Sequence, residues 1–198
     1  MNDYELDNLR DTFSRLFVLA VRNKINFKSF TNMLSNSSFI NAIEKNTFND
    51  LFNKPIEALL LSITGFAVKE DNSYGVYNDA YWCGQNYFDL HITTKKSFSY
   101  IFLKLPFEEL MNVYSIFHEM DFTSLLDFFH KKEKDKTILR ILCEEKRCSL
   151  NDLCKSTSLS LNTLRKYNSS DDNLYKASFQ NVVKLIQYFD VNYLLFKE

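Results

Sequence analysis

A shortage of chain-breaking residues constrains this sequence more than any other feature, because its 198 residues include only 3 glycines and 2 prolines. Sandwiches and barrels of β-strands need many tight turns, which depend on these two residue types. Hydrophobic residues make up 45% of the chain and aromatic residues 16%, so a packed core can form and intrinsic disorder is disfavoured. The composition therefore predicts an all-α fold.

Helical periodicity in the front half supports this prediction. Apolar residues three and four apart predict an amphipathic helix over residues 4–22. The same spacing recurs in four further segments, at 27–34, 39–43, 56–63 and 79–92. Pro106 should open another helix, and Asp121 or Thr123 should cap the next one. The polar residues 69–78 are typical of a loop.

Charge divides the sequence into an acidic front and a mildly basic back. Residues 1–130 contain 11 Lys and Arg against 16 Asp and Glu, whereas residues 131–198 contain 13 against 9. The charged run 131–136 is predicted to connect a front domain, 1–130, to a back domain, 137–198. One solvated turn of a continuous helix is the alternative for this run. A basic back domain is compatible with binding a polyanion.

The back domain contains a succession of short helices with identifiable start signals. The first helix is predicted to end near Arg147, and Ser149 followed by Asp152 predicts the start of the second. Residues 157–159 should form a tight turn. Ser160 should then cap a third helix that ends near residue 167.

Five helices in this order resemble the Cro/C1-type helix-turn-helix family. Apolar residues predict a fourth helix over 177–189 and a short fifth over 191–196, while Leu164 and Tyr167 should face the core from the third. The resemblance covers 137–198 and rests on Leu153, Leu159 and the runs 161–167 and 176–185. It predicts an N-terminal helical domain followed by a C-terminal five-helix helix-turn-helix domain.

The resemblance implies that the third helix lies in the major groove of double-stranded DNA. The implied DNA-contacting residues are Lys155, Ser160, Leu161, Asn162, Thr163, Arg165 and Lys166. Asn162 and Thr163 would lie near base edges, where an Asn side chain can pair with adenine. The two cations of the third helix would face phosphates or bases, and Lys155 and Ser160 would contact the backbone.

Three features depart from the family pattern. Ser158 stands where the family usually has a turn glycine, so a left-handed conformation there would be strained. Leu161 could touch a thymine methyl group or instead be buried in a protein contact. Asp171 and Asp172 would repel phosphate if they lay close to DNA. A degenerate helix-turn-helix kept only for protein contact is therefore an open alternative.

Motifs in the front half resemble a poorly characterised bacterial family whose members look like antitoxins. The motifs are residues 37–44, Tyr-Trp-Cys-Gly at 81–84, Leu-Pro-Phe-Glu-Glu-Leu at 105–110 and the run 114–121 that contains His-Glu. The resemblance implies a protein-binding front domain, with Tyr81, Trp82, Glu108 and Glu109 as candidate contacts. From the residues alone, both aromatic side chains are more typical of a core than of a binding site. The two glutamates suit the first turn of a helix, where the macrodipole favours acids.

Together the two resemblances predict a bacterial, cytoplasmic DNA-binding regulator. In this prediction the protein is the antitoxin of a toxin–antitoxin pair: the front domain binds the toxin, and the back domain represses the shared operon. The alternative is an anti-defence protein of a phage or mobile element that inhibits a protein target. A third possibility is a transcription factor whose front domain only dimerises, since a homodimer suits a two-fold symmetric operator.

Several functional classes are disfavoured by the sequence. No glycine-rich loop is available for a dinucleotide or a nucleotide phosphate, and no apolar stretch is long enough to span a membrane. The four cysteines match no common zinc pattern and are expected to be free, buried thiols. A nucleophilic site combining Cys83 with His118, Glu119 and Asp121 is conceivable, but nothing in their spacing supports it. No enzyme, metal or cofactor is predicted.

Overall fold

In the computed structural model, which describes residues 3–47, 54–67 and 77–196, the protein is all-α. No strand occurs in the described residues, as the composition predicted. The chain divides into two compact units, residues 1–126 (unit 1) and residues 127–198 (unit 2). Each unit is described by itself below.

Unit 1 contains eight helices among its described residues and the start of a ninth. They are α1 (Asp3–Arg22), α2 (Phe27–Ser35), α3 (Ser38–Glu44), α4 (Ile56–Thr64), α5 (Asn78–Thr94), α6 (Phe98–Lys104), α7 (Phe107–Asn112), α8 (Tyr114–Phe117) and α9 (Phe122–Asp135), which continues into unit 2. The sequence predicted most of them, but α6 was missed. Ser97 caps α6 by accepting a hydrogen bond from the Tyr100 N–H, so the start signal was present.

The core of unit 1 contains aromatic rings of α1 that pack against rings of α6 and α7. Phe13 stacks on Phe98 with ring centroids 4.8 Å apart, and Phe17 meets Phe107 edge-on at 4.9 Å. All four rings are almost completely buried. Aromatic pairs in these offset and edge-on arrangements add to the stabilisation from burial.

A glycine permits the close approach of α1 and α5. A Cβ atom placed on Gly84 would lie 2.4 Å from the Cα of Ser14, so no larger residue fits without moving a helix. Ser14 is itself fully buried and donates its hydroxyl hydrogen to the Arg10 carbonyl. Gly84 is therefore needed for helix packing rather than for a turn.

Two polar contacts fix other helices of unit 1. The buried Tyr87 hydroxyl donates to the Leu105 carbonyl at 2.7 Å. Glu44, the last residue of the 37–44 motif, accepts the Phe98 N–H at 2.9 Å and so caps α6 from the end of α3. Ser37, the first residue of that motif, caps α3. The motif therefore has a structural role in this chain.

Unit 2 contains the end of α9, five further helices and a final turn. These are α10 (Ile138–Glu145), α11 (Leu150–Thr157), α12 (Leu161–Ser169), α13 (Asp171–Tyr175), α14 (Phe179–Phe189) and a 3-10 helix (Tyr193–Phe196). The core consists mainly of leucines, among them Leu139, Leu142 and Leu164. Contacts of α12 with α10 and α11, and of α11 with α14, hold the unit together.

Helix boundaries differ from expectation in unit 2. The charged residues 131–135 form the last turns of α9, which ends at Asp135, and a separate helix, α10, begins at Ile138. Residues 171–175 form an additional helix, α13, that was not predicted, and Ser170 caps it by accepting the Asp172 N–H. The predicted fourth helix begins at Phe179 rather than at 177, since Ser178 caps it there. The predicted loop at 69–78 lies outside the described residues except for its last two.

Candidate nucleic-acid interface

The positions of α11 and α12 are set by hydrogen bonds that close their first turns. Ser149 and Asp152 form a capping box: the Asp152 N–H donates to the Ser149 hydroxyl at 3.2 Å, and the Ser149 N–H donates to the Asp152 carboxylate at 3.0 Å. Hydrogen bonds from serine lower the pKa of Asp152. Ser160 caps α12 by accepting the Thr163 N–H at 3.1 Å. Both start signals predicted from the sequence are confirmed.

The turn between α11 and α12 is left-handed at Ser158. This residue has φ 57° and ψ 25°, and its N–H donates to the Cys154 carbonyl at the end of α11. An L-residue pays a steric cost in this conformation, so the strain expected from replacing a glycine is present. Thr157 supports the turn, because its buried hydroxyl accepts the Leu159 N–H at 3.3 Å.

The inner side of α12 is anchored in the core of unit 2. Leu164 is fully buried and Tyr167 nearly so, as predicted. The Tyr167 hydroxyl accepts a hydrogen bond from the Asn181 side chain at 2.9 Å, which ties α12 to α14. Sequence reasoning missed this contact, because residues 14 positions apart on different helices carry no joint local signal.

The outer side of α12 presents polar and basic groups. Asn162, Arg165, Lys166 and Ser169 are exposed, and their spacing of three and four places them on one face of the helix. We call these four residues the α12 face. Neither Arg165 nor Lys166 makes an ion pair with any described residue. Two cations without an internal counter-charge are therefore available to an external anion.

The remaining predicted contact residues differ in how accessible they are. Lys155 is exposed near the end of α11, and its charge acts on Asp152. Leu161 and Thr163 are half-buried, and the Thr163 hydroxyl lies 2.8 Å from that of Ser160. The hydroxyl of Ser160 is already occupied by helix capping. The structure thus brings Lys155 and the α12 face to the surface, but it ties Ser160 and Thr163 to each other.

The two aspartates that could repel DNA behave differently. Asp171 accepts the Ile138 N–H at 2.7 Å, so its carboxylate caps the first turn of α10. Its negative charge is therefore directed to a helix N-terminus, where the macrodipole favours it. Asp172 is exposed in the first turn of α13. Only Asp172 retains the potential conflict with phosphate.

One lysine of unit 2 is engaged by a contact with the end of α14. Lys146, at the end of α10, donates to the Tyr188 carbonyl and lies 4.3 Å from the centroid of the Tyr188 ring. A cation at the C-terminal end of α14 is favourable, because the unpaired carbonyls there carry partial negative charge. Not every basic residue of the unit is therefore available for DNA.

The predicted partner-binding residues of unit 1 are half-buried or exposed. The Tyr81 hydroxyl donates to Asp11 on α1 at 2.7 Å, and burial together with this acid raises the pKa of Tyr81. The Trp82 ring meets the Tyr114 ring edge-on at 5.5 Å. Glu108 is exposed and Glu109 half-buried in the first turn of α7. Trp82 and Glu108 thus remain accessible in part, while Tyr81 is held by an internal hydrogen bond.

The cysteines and histidines show no arrangement typical of nucleophilic chemistry. Cys83 is fully buried, and burial raises the pKa of its thiol, which disfavours the reactive thiolate. His118 is exposed and its Nδ1 contacts the Tyr114 carbonyl. All four cysteines are free, but Cys148 and Cys154 are only half-buried, so the expectation of four buried thiols was wrong for these two.

Among residues 3–47, 54–67 and 77–196, no group of three or more His, Cys, Asp or Glu could hold a metal ion. Within the same ranges, no helix combines the length and apolar character needed to cross a bilayer. No protein-family model, curated protein or solved structure matches the chain.

Proposed function

We propose that this protein is a DNA-binding transcriptional regulator that recognises its operator through α12. The observation that carries the proposal is the α12 face, a set of exposed hydrogen-bonding and basic side chains on a capped helix that follows a tight turn. An α-helix fits the major groove of B-DNA, and Asn and Arg are side chains that read base edges there. The resemblance to the Cro/C1-type family supports the same conclusion.

The charges of unit 2 favour this proposal. Arg165 and Lys166 have no internal ion-pair partner among the described residues, so binding phosphate would cost no existing contact. Asp171 is engaged at the N-terminus of α10, which reduces the repulsion that the sequence suggested. A single helix with two such cations provides few phosphate contacts. A two-fold symmetric operator bound by two copies would double them.

The experiment is titration of the full chain with DNA from immediately upstream of its own gene, at two salt concentrations. Fluorescence anisotropy should report salt-sensitive binding, since neutralised phosphates release counterions. The double variant Arg165→Ala/Lys166→Ala should weaken binding by about 10- to 100-fold and reduce the salt dependence by about two phosphate contacts.

A matched variant separates a specific site from general charge. Lys131→Ala/Lys134→Ala removes the same charge from α9, outside α11 and α12. It should retain nearly all of the affinity for the upstream DNA. Equal losses in the two double variants, or no binding by the natural protein at low salt, would refute the proposal.

We further propose that unit 1 binds a protein partner and that this partner is a toxin encoded beside the regulator. The acidic surface of unit 1 is unsuited to nucleic acid, so a second ligand of a different class is expected there. Co-expression with the adjacent gene tests this: a toxic neighbour should be neutralised by the full chain. A neighbour without toxicity, or one that the chain does not neutralise, would contradict the antitoxin role while leaving DNA binding untouched.

A further inference from the structure

The segment from α7 to the start of α9 carries a surface that no internal contact explains. Ile116 is 62% exposed and Met120 is 51% exposed, although both are large apolar residues. Ile116 lies in the single turn of α8, and Met120 follows four residues later, in the turn after the helix ends at Phe117. Exposed apolar side chains that are close together and bordered by polar residues are typical of surfaces that bind a partner.

Two acidic residues flank Met120 in the sequence, and a third lies on the preceding helix, α7. Glu108, Glu119 and Asp121 are exposed, and the Glu119 side chain is 83% accessible. Lys and Arg are absent from residues 105–130. We define the acidic apolar patch as Glu108, Ile116, Glu119, Met120 and Asp121.

Ring contacts and a helix cap hold the residues next to the patch in place. Tyr114 of α8 meets Trp82 of α5, and the His118 ring stacks on Tyr114 with centroids 4.6 Å apart. Asp121 accepts the Ser124 N–H at 3.1 Å and thereby caps α9. Hydrogen bonds from Thr123 and Ser124 lower the pKa of Asp121. The patch is therefore held in place rather than carried on a loose loop.

Charge complementarity identifies the kind of occupant. A nucleic acid would be repelled by three exposed carboxylates, and an acidic protein would be repelled in the same way. A basic surface with protruding apolar side chains satisfies both the carboxylates and the exposed Ile116 and Met120. We propose that the acidic apolar patch docks a basic amphipathic segment of a partner protein. This inference deepens the proposed partner binding by unit 1 and rests on it.

The test uses the full chain labelled for NMR and a synthetic amphipathic helical peptide of leucine and lysine as the probe. Binding should shift the amide signals of residues 108–121 more than those of other exposed segments, and it should weaken as salt increases. An otherwise identical peptide with glutamate in place of lysine should not bind. A peptide of lysine and serine without leucine should bind at least about tenfold more weakly, because it lacks the apolar contacts. A tenfold loss of affinity corresponds to about 1.4 kcal/mol.

Two variants give a matched comparison. Ile116→Ser/Glu119→Gln removes one apolar and one acidic group from the patch and should weaken peptide binding by at least about tenfold. Leu61→Ser/Glu57→Gln removes the same two kinds of exposed group from α4 and should leave binding unchanged. The inference is overturned if the signal changes lie elsewhere, if the peptide fails to bind, or if the two variants lose affinity equally.

Failure of this inference is distinguishable from failure of the proposed function. The variant Ile116→Ser/Glu119→Gln should bind upstream DNA as the natural protein does, and Arg165→Ala/Lys166→Ala should bind the peptide normally. Neutralisation of a toxic neighbour without involvement of the patch would place the partner site elsewhere on unit 1. If the natural protein binds the peptide but not the upstream DNA, the proposal of a DNA-binding regulator is refuted and the proposal of a docking patch stands.

Discussion

Aromatic rings fill the core of unit 1, whereas leucine side chains fill most of the core of unit 2. In unit 1, α5 buries seven of its 17 residues and packs closely on α1 across Gly84. In unit 2, the 11-residue α14 has one fully buried residue, Leu185, and short helices begin at serine or threonine caps. Close packing of two long helices is characteristic of unit 1, whereas in unit 2 every helix from α10 to α14 is short and begins at a serine or threonine cap. The proposed DNA-binding side chains lie in unit 2, on a helix that begins at the Ser160 cap.

The largest effect is expected where helix packing is tightest. Gly84→Ala should destabilise unit 1 by about 3 kcal/mol or more, because its Cβ would overlap the backbone of Ser14 on α1. Trp82 is the only tryptophan and lies in unit 1, so urea unfolding followed by its fluorescence reports this unit.

The control for this variant is another glycine. Gly65→Ala should cost about 1 kcal/mol, because Gly65 has a φ of 71° but nothing lies within 4 Å of the added atom. Equal costs for the two variants would mean that packing of α1 on α5 does not limit the stability of unit 1.

An intermediate effect is expected from the cap that joins α13 to α10. Asp171→Asn should destabilise unit 2 by about 1–2 kcal/mol, since a charged hydrogen bond to the Ile138 N–H becomes a neutral one. Hydrogen exchange of the α10 and α12 amides measures the change. Asp172→Asn, at the exposed neighbour, should stay within about 0.5 kcal/mol. A larger loss at Asp172 would contradict the assigned role of Asp171.

A smaller effect of opposite sign is expected at the turn of the helix-turn-helix. Ser158→Gly should stabilise unit 2 by about 1 kcal/mol, because glycine adopts the left-handed conformation without steric cost. Ser156→Gly, inside α11 two residues earlier, should instead destabilise by about 0.5–1 kcal/mol. Thermal unfolding followed by circular dichroism compares them. A loss of stability at Ser158 would show that its side chain compensates for the strain.

The smallest effect concerns pH and should be confined to unit 1. Burial lowers the pKa of His91, whose Nδ1 contacts the Lys96 carbonyl at 2.7 Å and whose ring stacks on Phe98. His91 takes up a proton at higher pH in the unfolded chain than in the folded one. The free energy of unfolding of unit 1 should therefore decrease as pH falls below about 6.5, until His91 is protonated in the folded state as well.

The measurement is the difference in the free energy of unfolding between the natural protein and His91→Asn at each pH. Asparagine retains a donor near the Lys96 carbonyl but does not titrate, so the difference should decline as pH falls from 7 toward 5. Burial raises the pKa of Asp89, which gives the opposite slope at lower pH, and the subtraction removes that contribution. A difference that is constant across this range would contradict burial of a neutral His91.

Local signals explain why much of unit 2 could be predicted. Ser149 with Asp152, and Ser160 ahead of Leu164, are start signals read within four residues, and both are confirmed. The boundary at Phe179 was missed because Ala177 extends the apolar pattern, although Ser178 is the cap at which the helix begins. The helices α13 and α6 were not predicted because their serine caps, Ser170 and Ser97, were overlooked.

The sequence by itself determined the helical class, the serine caps and the polar outer side of α12, because each depends on residues within a turn of one another. Tertiary structure alone decided which charges are available. Asp171 is engaged by Ile138, a partner 33 positions away, whereas Arg165 and Lys166 have no ion-pair partner among the described residues. It likewise decided that Gly84 must be small and that Ile116 and Met120 are exposed. Such properties depend on which helices meet in space, and no periodicity along the chain encodes them.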